Sequence, residues 1–262
     1  MQKKATLYEE SQLNLIKEWE ANPPSQINRA VGFFSAPLVW AAQKVIPEDL
    51  MIQALKKAFE TAEKLSESAD ILKESDKLGH HVSRVEELKA VPLDICDIIA
   101  ENCSLWAKGL AGVEGAITGI AGIAGLAADI PGLLLLTLRS IKKIGHSYGF
   151  ETSDEIETFF QINVFLAGSA NTFEEKKRAI SELMEKSIEG KKMSSFLGKE
   201  TLNAAVRNLA KQLCINITHR KAAQTIPIIG CGVGAAMNTL FITDITSSAK
   251  RLYQKRRLLE LF

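Results

Sequence analysis

GLAGVEGAITGIAGIAGLAADIPGLLLLTLRSIKKIGHSYGF, residues 109–150, is the stretch in which glycine, alanine and leucine displace charge most completely. Seven of the chain's 17 glycines fall between Gly109 and Gly132. Gly109, Gly112, Gly115, Gly119, Gly122 and Gly125 recur at steps of three and four. On a helix that spacing makes one side-chain-free stripe onto which another backbone packs closely. Each interior helical glycine costs about 1 kcal/mol relative to alanine, so the stripe implies a compensating close contact. Asp129-Ile130-Pro131 then reads as an N-cap and first turn. The run Leu133 to Leu138 opens the next helix, which carries Arg139, Lys142 and Lys143.

A second stretch of this kind lies downstream. Ala222 to Thr243, AAQTIPIIGCGVGAAMNTLFIT, holds 22 residues without a formal charge and contains Gly230, Gly232 and Gly234. The rest of the chain is patterned helically. Asn22-Pro-Pro-Ser25 breaks the chain after a first helix, and Pro37 and Pro47 mark further entries. Leu50, Ala54, Leu55, Ala58, Ala62 and Leu65 trace a half-buried helix against lysine and glutamate. Residues 66–81 are more polar and read as a loop or a short irregular helix. Pro92 starts a helix that runs through Cys103 and Trp106 into the glycine stripe. Thr152 with Glu155, and Thr172 with Glu175, have the spacing of capping boxes, so two more helices follow them. Residues 198–219 and 222–258 are helical in pattern. The expectation is an all-α fold, a single helical-bundle domain with two glycine-rich helical hairpins packed together. Its divisions are an N-terminal helix and linker, 1–36, and the helical domain proper, 37–258.

Composition bounds the function. The chain has 262 residues, 46% hydrophobic and 24% charged, with a formal charge of +1. That length and mix build a substantial core. Neutral overall charge and 6% aromatics give no electrostatic footprint or stacking platform for nucleic acid. The first twenty residues hold no apolar run of signal-peptide length, so a cytoplasmic location is expected, free or on the inner face of the membrane. Cysteines 96, 103, 214 and 231 have no metal-type spacing and read as buried thiols.

Several of these residues together resemble a known family. Gly122 to Gly125, Asp129-Ile-Pro131, the leucine run, Arg139 and the closing Tyr148-Gly149 resemble the core signature of the EcsC family. Pro37-Leu-Val-Trp40, Val45-Ile46-Pro47 and the late Ile226-Pro227-Ile-Ile-Gly230 segment, with Gly232, Gly234 and Asn238, are similar to its other segments. The resemblance covers roughly Trp40 to Tyr253. The family is named for a bacterial protein encoded beside an ABC transporter, and its biochemical function is unknown. The resemblance therefore implies an accessory of a membrane transport system.

Two physical readings of the glycine-rich stretches stand side by side. Basic residues flank both: Lys108, Arg139, Lys142 and Lys143 around the first, Arg220, Lys221, Lys250 and Arg251 around the second. That symmetry fits two re-entrant hairpins with all their ends on the cytoplasmic side. It fits equally two hairpins packed in the core of a soluble bundle, since small-xxx-small spacing serves close packing in either medium. Gly115, Gly119, Gly122, Gly125, Gly230 and Gly234 are the packing positions in both. The C-terminal run from Lys250 to Phe262 adds cations beside leucines and Tyr253. It is either a surface anchor for anionic lipid or an amphipathic end helix with a solvated face.

The polar residues offer two kinds of site. For binding, Asp129, Arg139, Lys142, Lys143 and Tyr148 interrupt or close the most apolar region. Arg139, Lys142 and Lys143 suit a lipid phosphate or an acidic segment of a membrane transport protein. The plainer alternative has Asp129 capping a helix and Arg139 paired with Glu114 or Asp244. For catalysis, Gly145-His146-Ser147-Tyr148-Gly149 matches G-x-S-x-G, with His219 as a later base for a lipid or ester hydrolase. That motif needs a buried strand before the serine. Leu138, Ile141 and Ile144, with charges between them, read instead as a helix that ends near Gly145 and Gly149. No metal-ligand spacing and no P-loop occur, so neither metal nor cofactor is expected.

Overall fold

A computed structural model describes residues 4–24, 47–65, 68–118, 122–151, 155–193, 199–224 and 232–261. Within these, the side chains of 113–118, 122–129, 186–193, 199, 217–224 and 232–237 fall outside the description. In chain order the helices are α1 (Leu7–Ala21), α2 (Glu48–Lys64), α3 (Ser68–Lys77), a 3₁₀ helix (Val85–Ala90), α4 (Leu93–Thr118) and α5 (Gly122–Ser147). They continue with α6 (Glu155–Ser169), α7 (Phe173–Met193), α8 (Lys199–Gln224) and α9 (Gly232–Leu261). The fold is all-α, with no strand among the described residues.

Local sequence explains most of the boundaries. Thr6 and Glu9 close a capping box at the start of α1, with Glu9 N donating to Thr6 Oγ1 at 3.2 Å and Thr6 N to Glu9 Oε2 at 2.7 Å. Thr172 and Glu175 do the same for α7. The capping box read at Thr152 lies outside the described residues. Two expectations are corrected. Residues 68–77 form a regular α-helix, which Gly79 ends at φ +84° with His80 N donating to Ser75 O. And α5 does not begin at Asp129: it starts at Gly122 and runs straight through Pro131. Proline inside a helix costs about 3 kcal/mol. Buried Leu133, Leu134, Leu136, Leu138, Ile141 and Ile144 on the same helix offset that cost.

The body is arranged around α4 and α9, which pack along each other antiparallel. Gln254 meets Asp97, Lys250 meets Glu101, and a Cβ on Gly112 would touch Thr239 Oγ1 at 3.6 Å. α5 folds back along α4, and α2 runs along α5 with Met51, Leu55, Ala58 and Ala62 buried. Leu50 and Leu65, expected on the buried face, lie outside that stripe and are exposed. α6 and α8 close the far side, and α7 packs on α6. At Gly168 the backbones of α6 and α9 approach so closely that a Cβ would sit 2.8 Å from Ile245 Cα. Helix α1 lies across α4 and α9 with Ile16 fully buried, so it packs on the same core as the helical domain.

The cations of the C-terminal run are engaged by partners within the bundle. Lys250 pairs with Glu101, Lys255 with Glu20 at 2.6 Å, and Arg256 with Glu157 at 2.5 Å. Arg251 donates to the side-chain carbonyls of Gln12 and Gln254. Arg257 donates to Cys96 Sγ and to the carbonyls of Lys89 and Val91. Buried Leu252, Tyr253 and Leu258 lie between these charges, while Leu259 is exposed. No helix among the described residues is long and apolar enough to cross a membrane.

Candidate functional site

The closing residues of α5 have a structural task. Gly149 adopts φ +84° as the residue after the helix end, and Phe150 N donates to Gly145 O at 3.1 Å, the long bond of a Schellman cap. Gly145 itself does not end the helix. It leaves room for the ring of Tyr253, whose Cζ would lie 2.8 Å from a Cβ at that position. Ser147 is fully buried and donates to Lys143 O within its own helix. The G-x-S-x-G string is therefore a helix terminus packed against α9, and the strand-to-helix turn that exposes a nucleophile is not formed there. His219 lies in α8 with its side chain outside the described residues.

The basic residues of α5 face inward. Lys142 is 8% exposed and donates to the carbonyls of Ala62 and Glu63 at 3.3 and 3.5 Å, the last turn of α2. Lys143 is 7% exposed, lies over the Trp106 ring and pairs with Asp70 at 3.0 Å. Its hydrogen bond and charge hold the Asp70 carboxyl below the usual range. Half-buried Arg139 stacks on Trp106, 5.2 Å from the ring centroid. Asp129 is in α5, but its side chain falls outside the description, as does that of Glu114. Gly119 and Gly230 are outside the described residues, and Gly115, Gly122, Gly125 and Gly234 lie in helical stretches whose surroundings are not described.

Tyr148 joins a buried polar hub that the sequence did not reveal. Its hydroxyl donates to Asp97 Oδ1 at 2.5 Å, Gln254 Nε2 donates to the same oxygen at 2.6 Å, and Tyr8 donates to Oδ2 at 2.6 Å. Burial first, and the Asp97 charge second, push the Tyr148 phenol well above its ordinary range. A second hub centres on Glu157, 2% exposed, which accepts from Tyr253 and Arg256. The Arg256 guanidinium lies over both the Phe150 and Phe160 rings, 4.2 and 4.6 Å from their centroids. These hubs hold helices together.

A cleft of about 370 Å³ opens between the end of α1, the end of α6, the first turn of α7 and the middle of α9. Lys176, 3% exposed, projects into it. Its ammonium donates to the carbonyls of Trp19 and, at 2.9 Å, Asn22, and lies 4.0 Å from the centroid of the Trp19 ring. Those carbonyls belong to the C-terminal end of α1, where a cation is favoured. Burial nevertheless lowers the Lys176 pKa to about 8, against the opposing charges of Glu20 and Asp244. Asp244, Ser247 and Ser248 of α9 and Glu18 of α1 also line it. A buried charge with a shifted pKa in a cleft marks a candidate ligand site. Among the described residues no group of three His, Cys, Asp or Glu side chains is placed to hold a metal ion.

A model of the EcsC protein family matches residues 10–258. The chain belongs to the EcsC family. The protein is also similar to the uncharacterized protein YdbA of Bacillus subtilis (strain 168), 29% identical over 182 residues. That match covers 67% of this chain and 63% of YdbA's own length. No solved structure matches the chain. The EcsC match begins within α1 and ends at the last turns of α9, so every wall of the Lys176 cleft and both hubs except Tyr8 lie inside it.

Proposed function

We propose that this EcsC-family chain is a membrane-associated binding or accessory protein on the inner face of the membrane, working beside a transport or secretion system. Its lipid-facing part is the glycine-rich end of the bundle. The supporting observation is the antiparallel register of α4 and α9. Because Asp97 meets Gln254 and Gly112 lies beside Thr239, the C-terminal end of α4 and the N-terminal end of α9 point the same way. The last turns of α4 and the first turns of α5 and α9, which belong to the uncharged stretches 115–128 and 222–243, thus gather at one end of the bundle. The start of α2 reaches the same end, where Leu50, Met51, Ala54, Ile130 and Pro131 line an apolar groove of about 240 Å³ with Lys57 beside it. Leu50 is 50% exposed there. An apolar end with a neighbouring cation suits the interfacial region of an anionic leaflet.

Flotation of the purified chain with anionic and neutral vesicles, at low and high salt, tests the reading. The expected result is flotation with anionic vesicles that Leu50→Glu weakens while thermal stability is kept. A chain that floats under none of these conditions overturns it.

A further inference from the structure

We propose that the groove at the start of α2 is a lipid site, which takes one acyl chain of an anionic phospholipid and holds its phosphate on Lys57. This site rests on the membrane reading above, in which the glycine-rich end of the bundle meets the leaflet. Leu50, Ala54, Ile130 and Pro131 give the groove its apolar lining, and Gln53 and Lys57 line it too. Residues 50, 53, 54 and 57 follow at steps of three and four, so they share one face of α2. Helices α2 and α5 run parallel away from the groove, because Leu50 shares it with Ile130 and, further along, Lys142 reaches the Ala62 carbonyl. The groove therefore starts at the end of the bundle and rises along α2.

The order of side chains along α2 matches a phospholipid taken from tail to head. Gln53 lies roughly 5 Å and Lys57 roughly 10 Å beyond Leu50 along the helix axis. Elements at a membrane interface sink about 5–10 Å into the boundary between headgroups and acyl chains. With α2 along the membrane normal and Leu50 at that depth, the Gln53 amide donates to an ester carbonyl and the Lys57 ammonium meets the phosphate. Lys57 is exposed, and among the described residues no ion pair engages it. Lys142 and Lys143 of α5, by contrast, are held by Ala62, Glu63 and Asp70. At about 240 Å³ the groove is smaller than sites for whole small molecules, roughly 300–1,000 Å³, and suits a segment of one chain whose headgroup stays outside. A chain seated there sets one anion against one cation, which diffuse attraction to a charged leaflet does not require.

The test needs no bilayer. The full chain is titrated calorimetrically with a phosphatidylglycerol bearing two six-carbon chains, kept below micelle formation. Its phosphatidylcholine counterpart, glycerophosphoglycerol and hexanoate are titrated in parallel. The expected result is saturable binding of the phosphatidylglycerol, about fivefold weaker in Lys57→Ala, restored in Lys57→Arg, and lost in Ala54→Trp, which fills the groove. Circular dichroism checks each fold, and Lys57→Ala with Lys57→Arg carries the test if Ala54→Trp does not fold. No binding of the short phosphatidylglycerol at millimolar concentration overturns the site. So does equal affinity for phosphatidylcholine, for the chainless headgroup or for hexanoate, and so does an unchanged Lys57→Ala. Flotation on anionic vesicles without binding of the monomeric lipid removes this site and keeps the membrane reading. Binding of the monomer by a chain that never floats does the reverse.

Discussion

Gly145 lies directly beneath the ring of Tyr253, so close that a Cβ there would stand 2.8 Å from Cζ and 2.9 Å from the hydroxyl oxygen. This contact sets how near α5 comes to α9. Alanine is the better helix former by about 1 kcal/mol, so propensity alone predicts that Gly145→Ala stabilises α5. Forcing a methyl group into a packed core costs about 1–3 kcal/mol, and the ring is pinned by its bond to Glu157. The net expectation is a lower urea midpoint, with much of the loss recovered in a Tyr253→Leu background. Ser147→Ala, which removes one intrahelical bond and a weak contact with Cys103 Sγ, lowers stability by no more than about 1.5 kcal/mol.

Glu157 and Arg256 form the most enclosed ion pair described, with side chains 3% and 20% exposed. Removing one member leaves the other charge buried against Phe150 and Phe160. Glu157→Ala should cost about 3–5 kcal/mol in chemical denaturation. The double change Glu157→Leu with Arg256→Met should cost much less than the sum of the singles. Additive losses would mean that the two charges do not act as a pair.

The helices were largely legible because their signals are local. Thr172 with Glu175, the Asn22-Pro-Pro break and the apolar period of α2 each act within one or two turns. Pro131 misleads because its missing hydrogen bond is visible in the sequence, whereas the burial of the six apolar side chains that follow it is set by the packing of distant helices. The site was harder to see. Lys142 and Lys143 look like exposed cations until α2 and α3 are folded beside them, and pairing across 73 or 80 residues leaves no periodic trace. Asp97 had one faint signal, an acid between Cys96 and Ile98 on the apolar run of α4. Lys176 had none: it is one cation among several in Glu-Glu-Lys-Lys-Arg, and only the docking of α1 sets it apart.

Tyr8 is the polar tether that holds the first turns of α1 to α4. A hydrogen bond to a charged acceptor contributes about 1.5–3 kcal/mol, less where water competes, and Tyr8 is 40% exposed. Tyr8→Phe should therefore raise amide exchange within α1 while leaving α4 and α9 protected. Tyr148→Phe removes a fully buried bond to the same carboxylate, so it should lower global stability instead. Equal effects of the two changes on α1 and on the core would contradict this division of roles.

Lys176 gives the stability of the fold a distinctive pH dependence. Its pKa falls from 10.5 in the unfolded chain to about 8 in the fold, because burial penalises the ammonium more than Glu20 and Asp244 favour it. Between these values the unfolded chain binds more protons, so this group's contribution to stability rises with pH. The gain is complete above the unfolded value and is lost as pH falls through about 8. Each pH unit crossed within that window is worth at most about 1.4 kcal/mol. Tyr148 and Tyr253 act oppositely, since their raised values withdraw stability only above the ordinary phenol range. Comparing wild type with Lys176→Met between pH 7.5 and 9.5, roughly the lower part of the window, isolates the lysine. Wild type should gain stability relative to the variant as pH rises. A difference that stays flat means the ammonium is not desolvated in the cleft, and one that falls means its bonds to the end of α1 outweigh its burial.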